Sequence, residues 1–143
     1  MTEADFLEKL KKLKSIICVV EFGSFRTEAW IKDRSDIDLL VITARNVTFM
    51  DTLEIEDDVL EIAKEFYKYP NIHLTFLLFK DFHNKFAKIA IDSEKKYILN
   101  EEKWYDFNHN VLKYIRINER LNRNLKLDEQ FSYFGGIIDE SIL

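Results

Sequence analysis

The chain is poor in the residues that staple or interrupt a fold. Its 143 residues include one cysteine, one proline and three glycines. A lone cysteine excludes a disulfide framework and a cysteine-ligated zinc site within one chain. Cys18 sits in an apolar run and reads as a small core residue. Scarce glycine and proline, without repeats or low-complexity tracts, leave no candidate linker. No window approaches the roughly 20 apolar residues that cross a bilayer. The opening MTEADFLEKLKKLK is polar and amphipathic, unlike a signal peptide. These absences point to a soluble, cytoplasmic protein with no membrane partner. A basic excess is missing too: the net charge is −5. That argues against a broad nucleic-acid surface and leaves room only for a local patch.

Apolar residues make up 47% and aromatic residues 14%, enough to build the core of one domain of this length. Charged residues of both signs are interspersed, which argues against disorder. Phe6, Leu7, Leu10 and Leu13 recur at helical spacing, with Thr2 as a cap, so residues 2–14 predict a helix. SIICVVEF predicts a strand over 15–22. After Gly23-Ser24, FRTEAWIK reads as a short helix. DIDLLVI predicts a second strand over 36–42. A helix is expected over 52–69, ended by Pro70-Asn71. A third strand follows over 72–79, a helix over 81–93, a short extended KYILN and a long helix over 101–125. Alternating helix and strand predicts an α/β domain, with a mixed central sheet and flanking helices. Residues 1–100 would form the core domain. Residues 101–143 would form a C-terminal helical extension packed on the core or on a partner, including the apolar tail with Gly135-Gly136.

EFGSFRTEAWIKDRSDIDLLV, residues 21–41, holds the unusual chemistry. On a strand, Asp36, Asp38 and Leu40 share one face, and Ile37, Leu39 and Val41 the other. Carboxylates two positions apart sit roughly 6–7 Å apart at the backbone and repel unless a cation neutralises them. Mg²⁺ takes one or two protein carboxylates and completes its shell with water and phosphate oxygens. The bland alternative is an aspartate capping a turn or facing water at a sheet edge. Upstream, Gly23 ends a strand where backbone can approach a ligand closely, and Ser24 adds a hydroxyl. The N-terminus of the expected helix would offer N–H groups to phosphate. An anion cradle beside a cation site fits a nucleoside triphosphate.

Gly23-Ser24, eleven intervening residues and Asp36-Ile37-Asp38 resemble the signature of the polymerase-beta-like nucleotidyltransferases, most closely the minimal nucleotidyltransferase group. The resemblance in element order covers about residues 15–99. It implies the nucleotidyltransferase fold and binding of the triphosphate, usually of ATP, at Gly23 and Ser24. It also implies Mg²⁺ at Asp36 and Asp38, with Mn²⁺ as the alternative ion, and transfer of a nucleotidyl group to a hydroxyl. Small members often act as antitoxins that adenylylate a helical HEPN toxin; others modify aminoglycosides or tRNA ends.

Two departures stand out. The family carries a third carboxylate on the next strand, where NIHLTFLLF has none; His73 occupies its place, with Thr75 next on that face. A histidine can act as a base or a metal ligand, or simply sit half-buried with a hydrogen bond. The Ala-Arg-Gly stretch that relatives often carry after Gly-Ser is FRTEAW here. Arg26 would reach a triphosphate or pair with an acid. The candidate catalytic residues are therefore Asp36, Asp38 and His73, and the candidate nucleotide-binding residues Gly23, Ser24 and Arg26.

Other charged features read as solvated faces: Asp57, Asp58 and Glu61 on one helix, and Lys32, Asp33 and Arg34 before the aspartates. Lys113, Arg116, Arg120 and Arg123 form the most basic patch, a weak RNA or acidic-partner candidate beside the commoner solvated face. The aromatic C-terminal third reads mostly as core, with a homodimer surface as the alternative. Three functions compete. The first is a Mg²⁺-dependent nucleotidyltransferase acting from ATP, with the antitoxin role most economical for so short a chain. The second is a catalytically degenerate module that binds a nucleotide or partner. The third is a homodimeric structural domain whose aspartates merely face water.

Overall fold

The computed structural model describes residues 1–13 and 15–133, and of 126–133 only the backbone. The expected tail with Gly135-Gly136 lies outside the described residues. Helix α1 (Glu3–Lys12) precedes strands β1 (Ile16–Phe22) and β2 (Ile37–Thr43). Helix α2 (Phe49–Tyr67) leads to β3 (Ile72–Leu78), and a 3₁₀ turn (Phe79–Asp81) to α3 (Lys85–Asp92). Strand β4 (Lys96–Ile98) and α4 (Glu101–Tyr133) complete the order.

The sheet is mixed, in the order β3-β2-β1-β4. β1 pairs antiparallel with β2 and β4, and β2 pairs parallel with β3 through the α2 crossover. Strand alternation divides the core. Ile37, Leu39 and Val41 pack with Phe6 and Leu10 of α1 and Val59 and Ala63 of α2. Leu40 and Ile42 pack on the other face with Ala87 and Ala90 of α3 and Phe107 and Val111 of α4. Burial on both faces explains why β1 and β2 read as continuous apolar runs. Cys18 is fully buried among them.

Local chemistry sets the helix starts. Thr2 Oγ1 accepts from the Asp5 N–H while the Asp5 carboxylate accepts from the Thr2 N–H, a reciprocal cap. Thr48 and Asp51 repeat this arrangement, so α2 begins at Phe49, three residues before the expected Thr52. Helix α4 runs to Tyr133, beyond the expected Leu125.

The short helix expected over FRTEAWIK does not form; residues 23–35 are turns and bends. Arg26 and Asp33 adopt φ of +68° and +69°, which no right-handed helix admits. The Thr27 hydroxyl donates to the Ser24 carbonyl and accepts from the Ala29 N–H, competing with helical hydrogen bonding. Phe25 turns toward the end of α2 and packs edge-on against Tyr67, and Trp30 packs at a tilt against Tyr69 just beyond it, with ring centroids 5.7 Å and 5.2 Å apart. Tertiary packing of two aromatic rings overrides a weak local propensity.

Candidate active site

The pairing register builds the site. Phe22 stands opposite Asp38, so Gly23, the next residue of the chain, passes beside the Asp38 carboxylate. Gly23 has φ +75°. A Cβ at that position would lie 2.6 Å from Asp38 Oδ2. Both the backbone conformation and the space demand glycine. Because no helix follows Ser24, the expected helix N-terminus is replaced by a loop whose phosphate-facing groups would be turn amides and the Ser24 hydroxyl.

Asp36 stands just outside β2, which starts at Ile37, and is exposed; its carbonyl accepts from Trp30 Nε1 at 3.0 Å. On β3, His73 is the register partner of Asp38, and Thr75 that of Leu40. His73 Nδ1 lies 3.6 Å from Asp38 Oδ1, an ion-pair distance beyond good hydrogen bonding. The His73 ring is 64% exposed and the Asp38 side chain 29%. Burial raises the Asp38 pKa above its ordinary value of 3.8, His73 opposes the rise, and the Asp36 charge adds to it. Asp36, Asp38 and His73 thus gather at one end of the sheet, where β1 leaves it and β2 and β3 enter it.

Arg26 is engaged elsewhere. Its Nε donates to Glu21 Oε1 at 2.6 Å and its Nη2 to Oε2 at 3.3 Å. Glu21 is 5% exposed and also accepts from the Tyr67 hydroxyl at 2.6 Å and the Tyr97 hydroxyl at 3.3 Å. Glu21 lies on the α1–α2 face of the sheet and Asp38 on the α3–α4 face, since their positions alternate across the pairing. A cleft of about 490 Å³ borders the Gly23 turn, lined in part by Arg26, Thr27, Ser93 and Lys95; neither Asp36 nor Asp38 lines it. Glu21, Tyr67 and Tyr69 escaped the sequence reading. The one signal was a glutamate at the end of an otherwise apolar strand.

The donor set suits a hard cation. Two carboxylates stand at one end of the sheet, Asp36 exposed and Asp38 partly desolvated against Gly23, and their like charges favour a bound cation. Among the described residues, no group of three or more His, Cys, Asp or Glu side chains forms a metal cage. A cation here would therefore rely on oxygens from substrate or water as well. No described helix is long and apolar enough to cross a membrane.

No curated protein and no solved structure significantly matches the chain. The nucleotidyltransferase domain family matches residues 4–105, from α1 into the first turn of α4. That span is more than half of the chain and contains the four sheet strands with the glycine turn between the first two. The chain therefore belongs to the nucleotidyltransferase domain family, within the polymerase-beta-like superfamily, whose general activity is nucleotidyl transfer.

Proposed function

We propose that the protein is a Mg²⁺-dependent transferase that moves an adenylyl group from ATP to a hydroxyl acceptor. The observation that carries the reading is the contact of Gly23 with Asp38, which puts a glycine turn fit for phosphate against a carboxylate fit for a cation. Gly23 lets the triphosphate approach the backbone, and the Ser24 hydroxyl donates to it. Asp36 and Asp38 would hold the cation, which would supply charge neutralisation for the triphosphate and for the departing pyrophosphate. His73 takes the proton of the acceptor hydroxyl at Nε2, its Nδ1 being turned toward Asp38. The rest of the rate comes from alignment of acceptor and α-phosphorus. The acceptor hydroxyl is proposed to belong to a HEPN-type protein partner, the antitoxin role of small members of the group that the Gly23-Ser24 and Asp36-Ile37-Asp38 motif resembles. Arg26 joins the triphosphate only by leaving Glu21.

The exposed histidine in place of a third carboxylate favours one second reading: a degenerate domain that binds nucleotide or partner without turnover. One experiment separates the two. The purified protein is incubated with Mg²⁺ and labelled ATP, then with CTP, GTP and UTP. Pyrophosphate release or label transfer that disappears in the Asp36→Ala, Asp38→Ala double variant supports the transferase. Thermal stabilisation by nucleotide without turnover supports the degenerate domain. Failure of every nucleotide to stabilise the protein with Mg²⁺ or Mn²⁺ sinks both.

A further inference from the structure

The loop of residues 23–35 joins the glycine turn to Asp36 and has no regular secondary structure of its own. Its two ends are nevertheless fastened to one place, the C-terminus of α2. At the upstream end, the Tyr67 hydroxyl donates to Glu21 Oε2, the Arg26 guanidinium donates to both Glu21 oxygens, and the Phe25 ring packs edge-on against Tyr67. At the downstream end, the Tyr69 hydroxyl donates to the Ser35 carbonyl at 2.6 Å and accepts from the Asp33 N–H at 2.9 Å. The Tyr69 ring meets Trp30, whose Nε1 in turn donates to the Asp36 carbonyl. Between the tyrosines, Lys68 turns the chain into the left-handed region at φ +52°, so one ring leaves the last helical turn and the other follows the cap.

A buried carboxylate such as Glu21 is a poor source of net stability, because an apolar side chain of similar volume commonly serves as well or better. What it supplies is direction: its fixed oxygens accept Arg26 in one geometry. The same holds for the Tyr69 hydroxyl, which bridges two backbone groups of the loop that would otherwise find water. We propose that Tyr67 and Tyr69, with Glu21, form a two-point clamp that fixes the spacing between the Gly23-Ser24 turn and Asp36. They are positioning residues for nucleotide binding. The binding half of this inference rests on the function proposed above; the clamp itself does not.

The test uses the full chain with Tyr69→Phe and Tyr67→Phe, which keep the rings, and Glu21→Gln, which keeps the shape. Amide hydrogen exchange across residues 24–35 is measured first. Loss of one loop-anchoring hydrogen bond is expected to speed exchange there roughly tenfold, while strands β1 and β2 stay protected. Unchanged loop exchange in all three variants overturns the clamp. Affinity for ATP with Mg²⁺ is then measured. A fall of roughly tenfold with turnover per bound nucleotide much less affected supports the positioning role. Faster loop exchange with unchanged affinity overturns it. If the unaltered protein binds no nucleotide, the proposed function and the positioning role fail together, and the exchange data still decide whether the clamp exists.

Discussion

Asp38 closes over Gly23 so tightly that a single methyl group on the glycine would stand 2.6 Å from the carboxylate oxygen. The candidate cation ligand and the candidate phosphate turn are therefore one packed unit, produced by the register of β1 on β2. Gly23→Ala is expected to cost about 1–2 kcal/mol from its positive φ alone, and more from the displaced carboxylate. Adding Asp38→Ala to Gly23→Ala should relieve the clash and leave only the backbone cost. Urea unfolding midpoints of the four proteins measure this. Strict additivity of the two changes would show that the contact carries no energy.

Asp38 also links stability to pH. Burial and the Asp36 charge raise its pKa above 3.8 against the opposing effect of His73, so the native state holds a proton more tightly than the unfolded chain does. The contribution is neutral below about 3.8, turns unfavourable as pH rises through the native pKa, and remains so at pH 7. Asp38→Asn should therefore raise the Tm of the cation-free protein at pH 7 and lose that advantage toward pH 3. Saturating Mg²⁺ with ATP should reverse the order at pH 7, since only the carboxylate gains a cation. A variant no more stable than the parent in chelator at pH 7 would contradict this account.

His73 separates the two readings of the site. His73→Ala should lower turnover roughly a hundredfold if its ring takes the acceptor proton, with nucleotide affinity little changed. His73→Asp places a third carboxylate opposite Asp38 in the register. It should steepen the dependence of nucleotide binding on Mg²⁺ concentration, because a third negative charge needs more neutralisation. A gain in turnover in His73→Asp would mark the native site as degenerate. An unchanged rate in His73→Ala would remove the histidine from the chemistry.

The buried hydroxyl and thiol groups make the fold sensitive to alkali. Burial pushes the Cys18 thiol up to about 12, and burial with the Glu21 charge pushes the Tyr97 phenol up to about 12. Tyr67 is raised further by burial and by its hydrogen bond to Glu21. These groups stay protonated in the native protein while the unfolded chain ionises near 9.0 for the thiol and 10.0 for the phenols. Stability should hold below pH 9 and decline from there toward pH 12. Denaturant midpoints between pH 8 and 11 check this. Tyr67→Phe should flatten the upper part of the decline, and a parallel slope in that variant would count against it. At pH 8, alkylation of Cys18 should proceed only as fast as the protein opens.

Most of the scaffold was legible in the chain because it follows from short-range rules. Apolar runs of strand length, a helical recurrence of Phe6 and Leu10, and the Thr2 cap each act over a few residues. The sequence also suggested that the strand opening with the aspartates lies beside β1, while the antiparallel register that sets Asp38 against Gly23 came only with the structure. The loop was not legible. Phe25 to Lys32 has ordinary helical composition, and only the distant Tyr67 and Tyr69 draw its aromatic rings away. Glu21 gave one weak sign, a charge ending an apolar strand, but its partners come from a loop, a helix end and an edge strand.

The sequence by itself determined the alternation of elements, since periodicity and local capping need no knowledge of distant residues, and it carried the Gly23-Ser24 and Asp36-Ile37-Asp38 motif by which the chain resembles its family. Only the tertiary structure decided that the loop after Gly23 is not helical, that Arg26 answers to Glu21, and that Asp38 faces His73. Those outcomes depend on sheet register and on which buried donors meet which acceptors. Both are properties of chain segments brought together by folding.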